Sequence, residues 1–136
     1  MALANPYSRY QNVKVSTVNR GTLLVMVYDA AIRYLEEAKV KMIERDFSSK
    51  GLYIDRAFEA LNELRKSLNF EASMELASSL NQLYFFMNKR LSHATLTNDT
   101  TAIDDILRLL RGLREAWKEA ADKENPGMKK AVQTSA

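Results

Sequence analysis

The chain has no cysteine and a single histidine, His93. Disulfides and thiolate metal sites are therefore excluded, as is any site that needs two imidazoles. Glycine and proline are scarce, four and two in 136 residues. Neither a glycine-rich phosphate loop nor a G-x-S-x-G nucleophile turn occurs. No apolar run approaches the ~18 residues of a membrane-spanning helix. The opening MALANPYSRYQ lacks the apolar centre of a signal peptide. The length suits one domain with a real core. A net charge of +3 permits an acidic partner without requiring one.

What the chain does have is helical periodicity. Leu24, Val27, Tyr28, Ala31, Leu35, Ala38 and Met42 recur at three- and four-residue steps and predict a first helix over about 22–45. Its opening, LLVMVY, is apolar nearly all round and predicts burial on more than one side. A loop is expected at 46–50. A second helix over about 51–68 would bury Ile54, Ala57, Phe58, Leu61, Leu64 and Leu68. Ser73 is a suitable N-cap for a third helix over about 74–96. That helix would bury Leu76, Ala77, Leu80, Leu83, Tyr84, Met87, Leu91 and Ala94. Asn98-Asp99-Thr100 ends it and caps a fourth helix over about 101–121. There is no strand-like alternation and no internal repeat. Three short connections between long helices imply an all-α, antiparallel up-down four-helix bundle. The expected organisation is a leader over 1–18, either mobile or docked, a bundle over 19–123, and a disordered tail over 124–136.

The fourth helix is unusually broad in its apolar face. Ile103, Ile106, Leu107, Leu109, Leu110, Leu113, Ala116, Trp117, Ala120 and Ala121 cover roughly half its circumference, where a stripe of about 100° would serve one core contact. Only Arg114 interrupts the arc. The flank with Ile103, Leu107 and Leu110 is expected to pack inward. Ile106, Leu109, Leu113 and Ala116 form a candidate strip for a partner, with Trp117 near the boundary.

No constellation of catalytic residues accompanies this surface. His93 falls on the polar side of its helix, so a solvated histidine fits it better than acid–base chemistry with Asp99. Asp104-Asp105 sit in the first turn of a helix, where negative charge offsets the macrodipole. The Glu-x-x-His spacing of a metal site in a bundle is absent, and no cofactor is implied. Arg108, Arg111, Lys118 and Lys89-Arg90 are interleaved with acidic residues, which makes a mixed solvated surface rather than a nucleic-acid stripe. Phe85 and Phe86 lie beside the core stripe. They are either a contact surface or covered by the first segment or an irregular bundle. Tyr7 and Tyr10 are three apart and would share a face on a helical turn. A leader docking reversibly on the wide apolar face would join these features.

The chain resembles the FliS family of flagellar secretion chaperones over about residues 5–120. The residues that carry the resemblance are Asn5-Pro6-Tyr7 with Tyr10-Gln11, Leu24 with Met26-Val27-Tyr28-Asp29-Ala30-Ala31-Ile32, Leu76-Ala77 with Leu80, Leu83-Tyr84, Met87, Arg90-Leu91, Ala94 and Asn98-Asp99, and Leu113-Arg114-Glu115-Ala116-Trp117-Lys118-Glu119-Ala120. The chain departs from that pattern at three places. Asn19-Arg20-Gly21 replaces a Ser-Pro opening of the first long helix. Ala72-Ser73-Met74-Glu75 replaces a Gly-Gly-Glu turn. Phe85 stands where an acidic residue often follows the tyrosine.

The resemblance implies a cytoplasmic helical bundle, not an enzyme, that binds the disordered C-terminal segment of flagellin. It implies that binding prevents premature polymerisation and aids delivery to the type III export gate, and that some members also bind an anti-sigma factor. It further implies that a leader carrying Tyr7 and Tyr10 covers part of the groove in the free protein. Two other readings compete with flagellin binding. One is a regulatory module that binds another protein's amphipathic helix, such as that anti-sigma factor. The other is a small all-α mutase, which needs several inward-facing charged side chains where only Arg114 enters an apolar face.

Overall fold

The computed structural model describes residues 20–124 as helices α1 (Arg20–Glu44), α2 (Phe47–Lys66), α3 (Met74–Thr97) and α4 (Thr100–Glu124). The leader with Tyr7 and Tyr10, and the tail from residue 125, lie outside the described residues. Each helix packs on its sequence neighbours, and α4 closes the ring against α1; the backbones of the diagonal pairs stay apart. Ion pairs across α1 and α4 give the antiparallel direction directly. Asp29 meets Arg114, Glu36 meets Arg111 and Lys39 meets Asp104, so numbers rise along α1 as they fall along α4. The up-down four-helix bundle expected from the short connections is the observed architecture.

The core is built from the predicted stripes. Tyr28, Ala31, Leu35, Ala38 and Met42 on α1 join Ile54, Ala57, Leu61 and Leu64 on α2. Leu80, Tyr84, Met87, Leu91 and Ala94 on α3 and Ile103, Ile106, Leu107 and Leu110 on α4 complete it. The seams are not equal. α1 is engaged extensively with α2 and α4, whereas α3 touches its neighbours less. Side-chain size explains the difference. Small buried residues concentrate on α1 and α2, at Ala30, Ala31, Ala38, Ala57 and Ala60, and let backbones approach. The middle of α3 buries Leu80, Tyr84, Met87 and Leu91 instead, and interaxial distance grows with the side chains at the contact.

The connections are local solutions to unsatisfied helix ends. At the end of α1, Asp46 N–H donates to the Lys41 carbonyl at 2.9 Å and Arg45 N–H to the Met42 carbonyl at 3.2 Å. Arg45 takes the left-handed conformation, φ 60°, that this closure requires. The Asp46 carboxylate then accepts from Ser49 N–H at 3.2 Å and starts α2 at once. Of the expected loop over 46–50 only the cap Asp46 stands outside a helix, and 47–50 form the first turn of α2. Gly51 is an interior residue of α2 without positive φ, not a boundary. Ser73 caps α3 as expected, accepting from Leu76 N–H at 3.2 Å. Asn98 ends α3 at φ 56°, and the Asp99 carboxylate accepts from Thr101 N–H at 3.0 Å to open α4.

Because α2 begins early, Lys50 reaches the base of the bundle and is buried. Among the described residues its ammonium pairs with no carboxylate. It donates to the Thr95 carbonyl and to Asn98 Oδ1, each at 3.1 Å, where the negative end of the α3 dipole offsets its charge. Asn98 Nδ2 donates to the Met42 carbonyl at 3.2 Å, so one network ties the ends of α1 and α3 to the start of α2.

Asp105 receives Arg108 at 2.6 Å within α4 and Arg90 at 2.7 Å from α3. These bonds, Arg108 first, hold its carboxyl below the usual carboxylate range. Asp99 is lowered as well, chiefly by the Thr101 hydroxyl. Carboxylates depressed in the folded state contribute stability that is present above the unfolded value near ~4 and is lost as pH falls through the folded value. The thermal midpoint should therefore be flat above about pH 5 and fall below about pH 4. Asp105→Asn should narrow its deficit relative to the parent as pH drops from 5 to 3, measured by circular dichroism melts; a constant deficit refutes the linkage. A second outcome concerns Gly112, which is exposed in the middle of α4 with open space where a Cβ would stand. Gly112→Ala should raise urea-unfolding stability by about 0.5–1 kcal/mol.

Candidate functional site: an apolar cleft and the seam below it

The bundle is open at the end where α1 and α3 begin and α2 and α4 finish. α2 stops at Lys66 and α3 restarts only at Met74, so the connection leaves the first turns of α3 without a facing helix. A cleft of about 500 Å³ results. Its walls are Leu24 of α1, Leu68 after α2, Leu76, Leu80 and Tyr84 of α3, and Trp117 and Ala120 of α4; Arg20, Ser67, Asn69 and Ser73 stand among its polar lining. Leu76, expected in the core, is 52% exposed here. The periodicity that placed it on the inner face was correct, but no neighbour reaches far enough to cover it. Phe70 and Met74 are also exposed beside this opening.

The inner wall of the cleft is held by an aromatic network. Trp117 Nε1–H donates to Tyr28 Oη at 3.1 Å, and the Tyr28 and Tyr84 hydroxyls hydrogen-bond each other. Burial pushes both phenols above their ordinary value, so both stay protonated. α1, α3 and α4 are thereby joined through polar atoms inside an apolar core. The sequence reading recognised Tyr28 and Tyr84 only as core residues. The signal for more was the phenol itself, because a buried hydroxyl must find a partner.

Below the cleft runs the seam between α3 and α4. The Arg90–Asp105 bond shows which side of α3 faces which side of α4. Phe86 lies one turn before Arg90, and Leu109 one turn after Asp105, so helical spacing puts both on this seam. Leu83 and Leu113 continue it and pack partly against the core, and Ala116 is exposed. The band ends at Trp117 and Ala120 in the cleft wall. Phe86 is 47% exposed along it.

The expected contact residues thus divide. Phe86, Leu109, Leu113, Ala116 and Trp117 share one band. Ile106 does not belong to it. It is fully buried with Ile103 and Leu110, because the inward arc of α4 is wider by one position than expected. An intact bundle gives a partner no access to it. Ile103, Leu107 and Leu110 pack inward as expected. Phe85 turns the other way, towards α2, over a groove lined by Arg65, Asn81, Gln82 and Asn88. It is 63% exposed, with the Lys89 ammonium 5.6 Å from its ring centre.

The charged candidates carry surface roles. His93 is exposed and bonds Asp99 at 3.2 Å. Arg114 leaves the apolar arc to hold Asp29 at 2.7 Å and Glu115 at 2.9 Å, so it does not line the cleft. Asp104 pairs with Lys39 at 2.7 Å. Among the described residues, no group of three or more acidic or histidine side chains is placed to hold a metal ion, and no helix is long and apolar enough to cross a membrane.

Comparison with known proteins identifies the fold's relatives. The family model described as flagellar protein FliS matches residues 3–124. The flagellar secretion chaperone FliS of Bacillus subtilis is 31% identical over 124 residues, 91% of this chain and 92% of the relative. Those of Escherichia coli and Salmonella typhimurium are 33% identical over 107 residues and 34% over 102. These alignments cover 78% and 74% of this chain and 79% and 76% of the two relatives. A match of this extent, on a four-helix bundle with an open apolar end, means that the chain belongs to the FliS family of flagellar secretion chaperones.

Proposed function

We propose that this protein holds the disordered C-terminal segment of flagellin in the cytoplasm, keeps flagellin from polymerising early and hands it to the type III export gate. The observation that carries this reading is the apolar cleft and its continuation along the α3–α4 seam. A segment that becomes helical in a filament must be apolar on one face, and before assembly that face needs a surrogate partner. A helix-in-groove contact supplies one. Ordering such a segment costs a few kcal/mol, which a large apolar surface offsets. The mixture of paired surface charges around the band favours no polyanion.

The leader has a place in the same reading. Arg20, the first described residue, lines the cleft. A leader joined to Arg20 would be long enough to reach the whole band, since an extended segment covers ~3.3 Å or more per residue. Tyr7 and Tyr10 would cover apolar surface while the protein is empty and move aside for flagellin.

Two experiments test the reading. Purified protein mixed with flagellin monomer should give a 1:1 soluble complex by size-exclusion chromatography with light scattering. Flagellin lacking its C-terminal segment should give none; equal binding of the truncated form defeats the proposal. Leu76→Ser and Phe86→Ser should each weaken binding about tenfold while changing stability by no more than ~0.5 kcal/mol, because both side chains are already exposed. Phe85→Ser, on the other seam, should change affinity less than twofold.

A further inference from the structure

Among the described residues, the hydrogen count in the cleft wall leaves one donor unused. Trp117 Nε1, Tyr28 Oη and Tyr84 Oη bring three hydrogens to their network. The two bonds among them use two. Among the described residues neither hydroxyl makes a further bond. The bond between the phenols can run either way, and whichever phenol accepts keeps its own hydrogen free. Tyr28 is fully buried and absent from the cleft lining, whereas Tyr84 is 1% exposed and lines the cleft. When Tyr28 donates to Tyr84, the free hydrogen is on the phenol at the cleft. Tyr28 Oη still accepts from Trp117 in that arrangement, so nothing else is lost. The raised values of both phenols keep the hydrogens in place across physiological pH.

We infer that the cleft takes a hydrogen-bond acceptor from the segment bound in it, with the Tyr84 hydroxyl as donor and the Trp117 indole as the adjoining apolar wall. The inference rests on the proposed reading that the cleft receives flagellin's C-terminal segment, and it adds the chemistry of one contact. The acceptor is an oxygen of the bound peptide: a backbone carbonyl, a side-chain amide or a carboxylate. An apolar group at that point would leave the Tyr84 hydrogen buried without a partner, which a site built to donate penalises. Because the Trp117 indole donates to Tyr28 and packs against the core, it keeps its place whether or not the acceptor is present.

The test uses the full chain and a synthetic peptide of flagellin's C-terminal segment, titrated by the fluorescence of Trp117, the chain's single tryptophan. Tyr84→Phe keeps the ring but removes both the free donor and the Tyr28–Tyr84 bond. Tyr28→Phe breaks that same bond and leaves the Tyr84 hydroxyl in the cleft wall. Both variants should unfold at a lower urea concentration than the parent. The affinity of Tyr84→Phe for the peptide should fall about tenfold, the effect of one lost buried hydrogen bond, while that of Tyr28→Phe stays within about threefold of the parent. An affinity of Tyr84→Phe within twofold of the parent overturns the inference, because the cleft then offers the segment no donor. Equal falls in the two variants also overturn it, because the loss then follows the broken Tyr28–Tyr84 bond and not the donor. Failure of the parent itself to bind the peptide refutes the proposed function and the inference with it. Normal binding by the parent with no effect of Tyr84→Phe refutes only the acceptor contact.

Discussion

The Tyr28 hydroxyl is the point at which three of the four helices are tied together. It accepts from Trp117 on α4 and shares a hydrogen bond with Tyr84 on α3, while its own ring stands in the core of α1. A polar atom in such a place is costly unless its bonds are made. Once they are made, the relative positions of α1, α3 and α4 are constrained at the open end of the bundle. That end most needs the constraint, since among the described residues only the connection between α2 and α3 lines it and no further helix closes it. The closed end is secured differently, by the buried Lys50 ammonium donating to the Thr95 carbonyl near the end of α3 and to Asn98, and by Asn98 reaching the end of α1.

Between these two anchors the bundle is asymmetric, and the asymmetry is where function enters. α1 lies close to both neighbours because its inner face and that of α2 are rich in alanine. It is the rigid spine, stapled to α4 by three cross-helix ion pairs that add register more than energy. α3 stands further out on bulky side chains and leaves apolar surface along its edges. A helix packed tightly on every side would be more stable and would have nothing to offer a partner.

Much of this was legible in the sequence. The inner stripes of all the helices, the Ser73 cap and the Asn98–Asp99 turn follow from spacing and from residue types that favour helix ends. What was misread shares one cause: a one-dimensional pattern gives the direction of a side chain but not the extent of its neighbours. Leu76 points inward, yet α2 ends too soon to cover it. Ile106 was assigned to the outer part of the α4 arc, although the arc's inner boundary depends on how α3 and α1 flank it. The second helix starts before the expected position 51, because Asp46 supplies its cap five residues earlier. The tyrosine–tryptophan network was invisible for a stronger reason. Its members lie on three helices, 56 and 89 residues apart along the chain, and only the fold brings them together.

A broad apolar face on α4, taken alone, can bind but cannot align. A helical guest that slides by one turn, about 5.4 Å, exchanges one set of aliphatic contacts for another and loses little. Burial energy is nearly proportional to area and carries no direction. A hydrogen bond is different, because its geometry admits a narrow range of positions. One donor at the cleft end of an otherwise apolar band therefore turns a surface that tolerates many registers into one that favours a single register. For a chaperone that must release its cargo, this division has an advantage. The apolar band can remain shallow and the total affinity moderate, while alignment comes from a single polar contact at the site where the structure is already fixed by Tyr28.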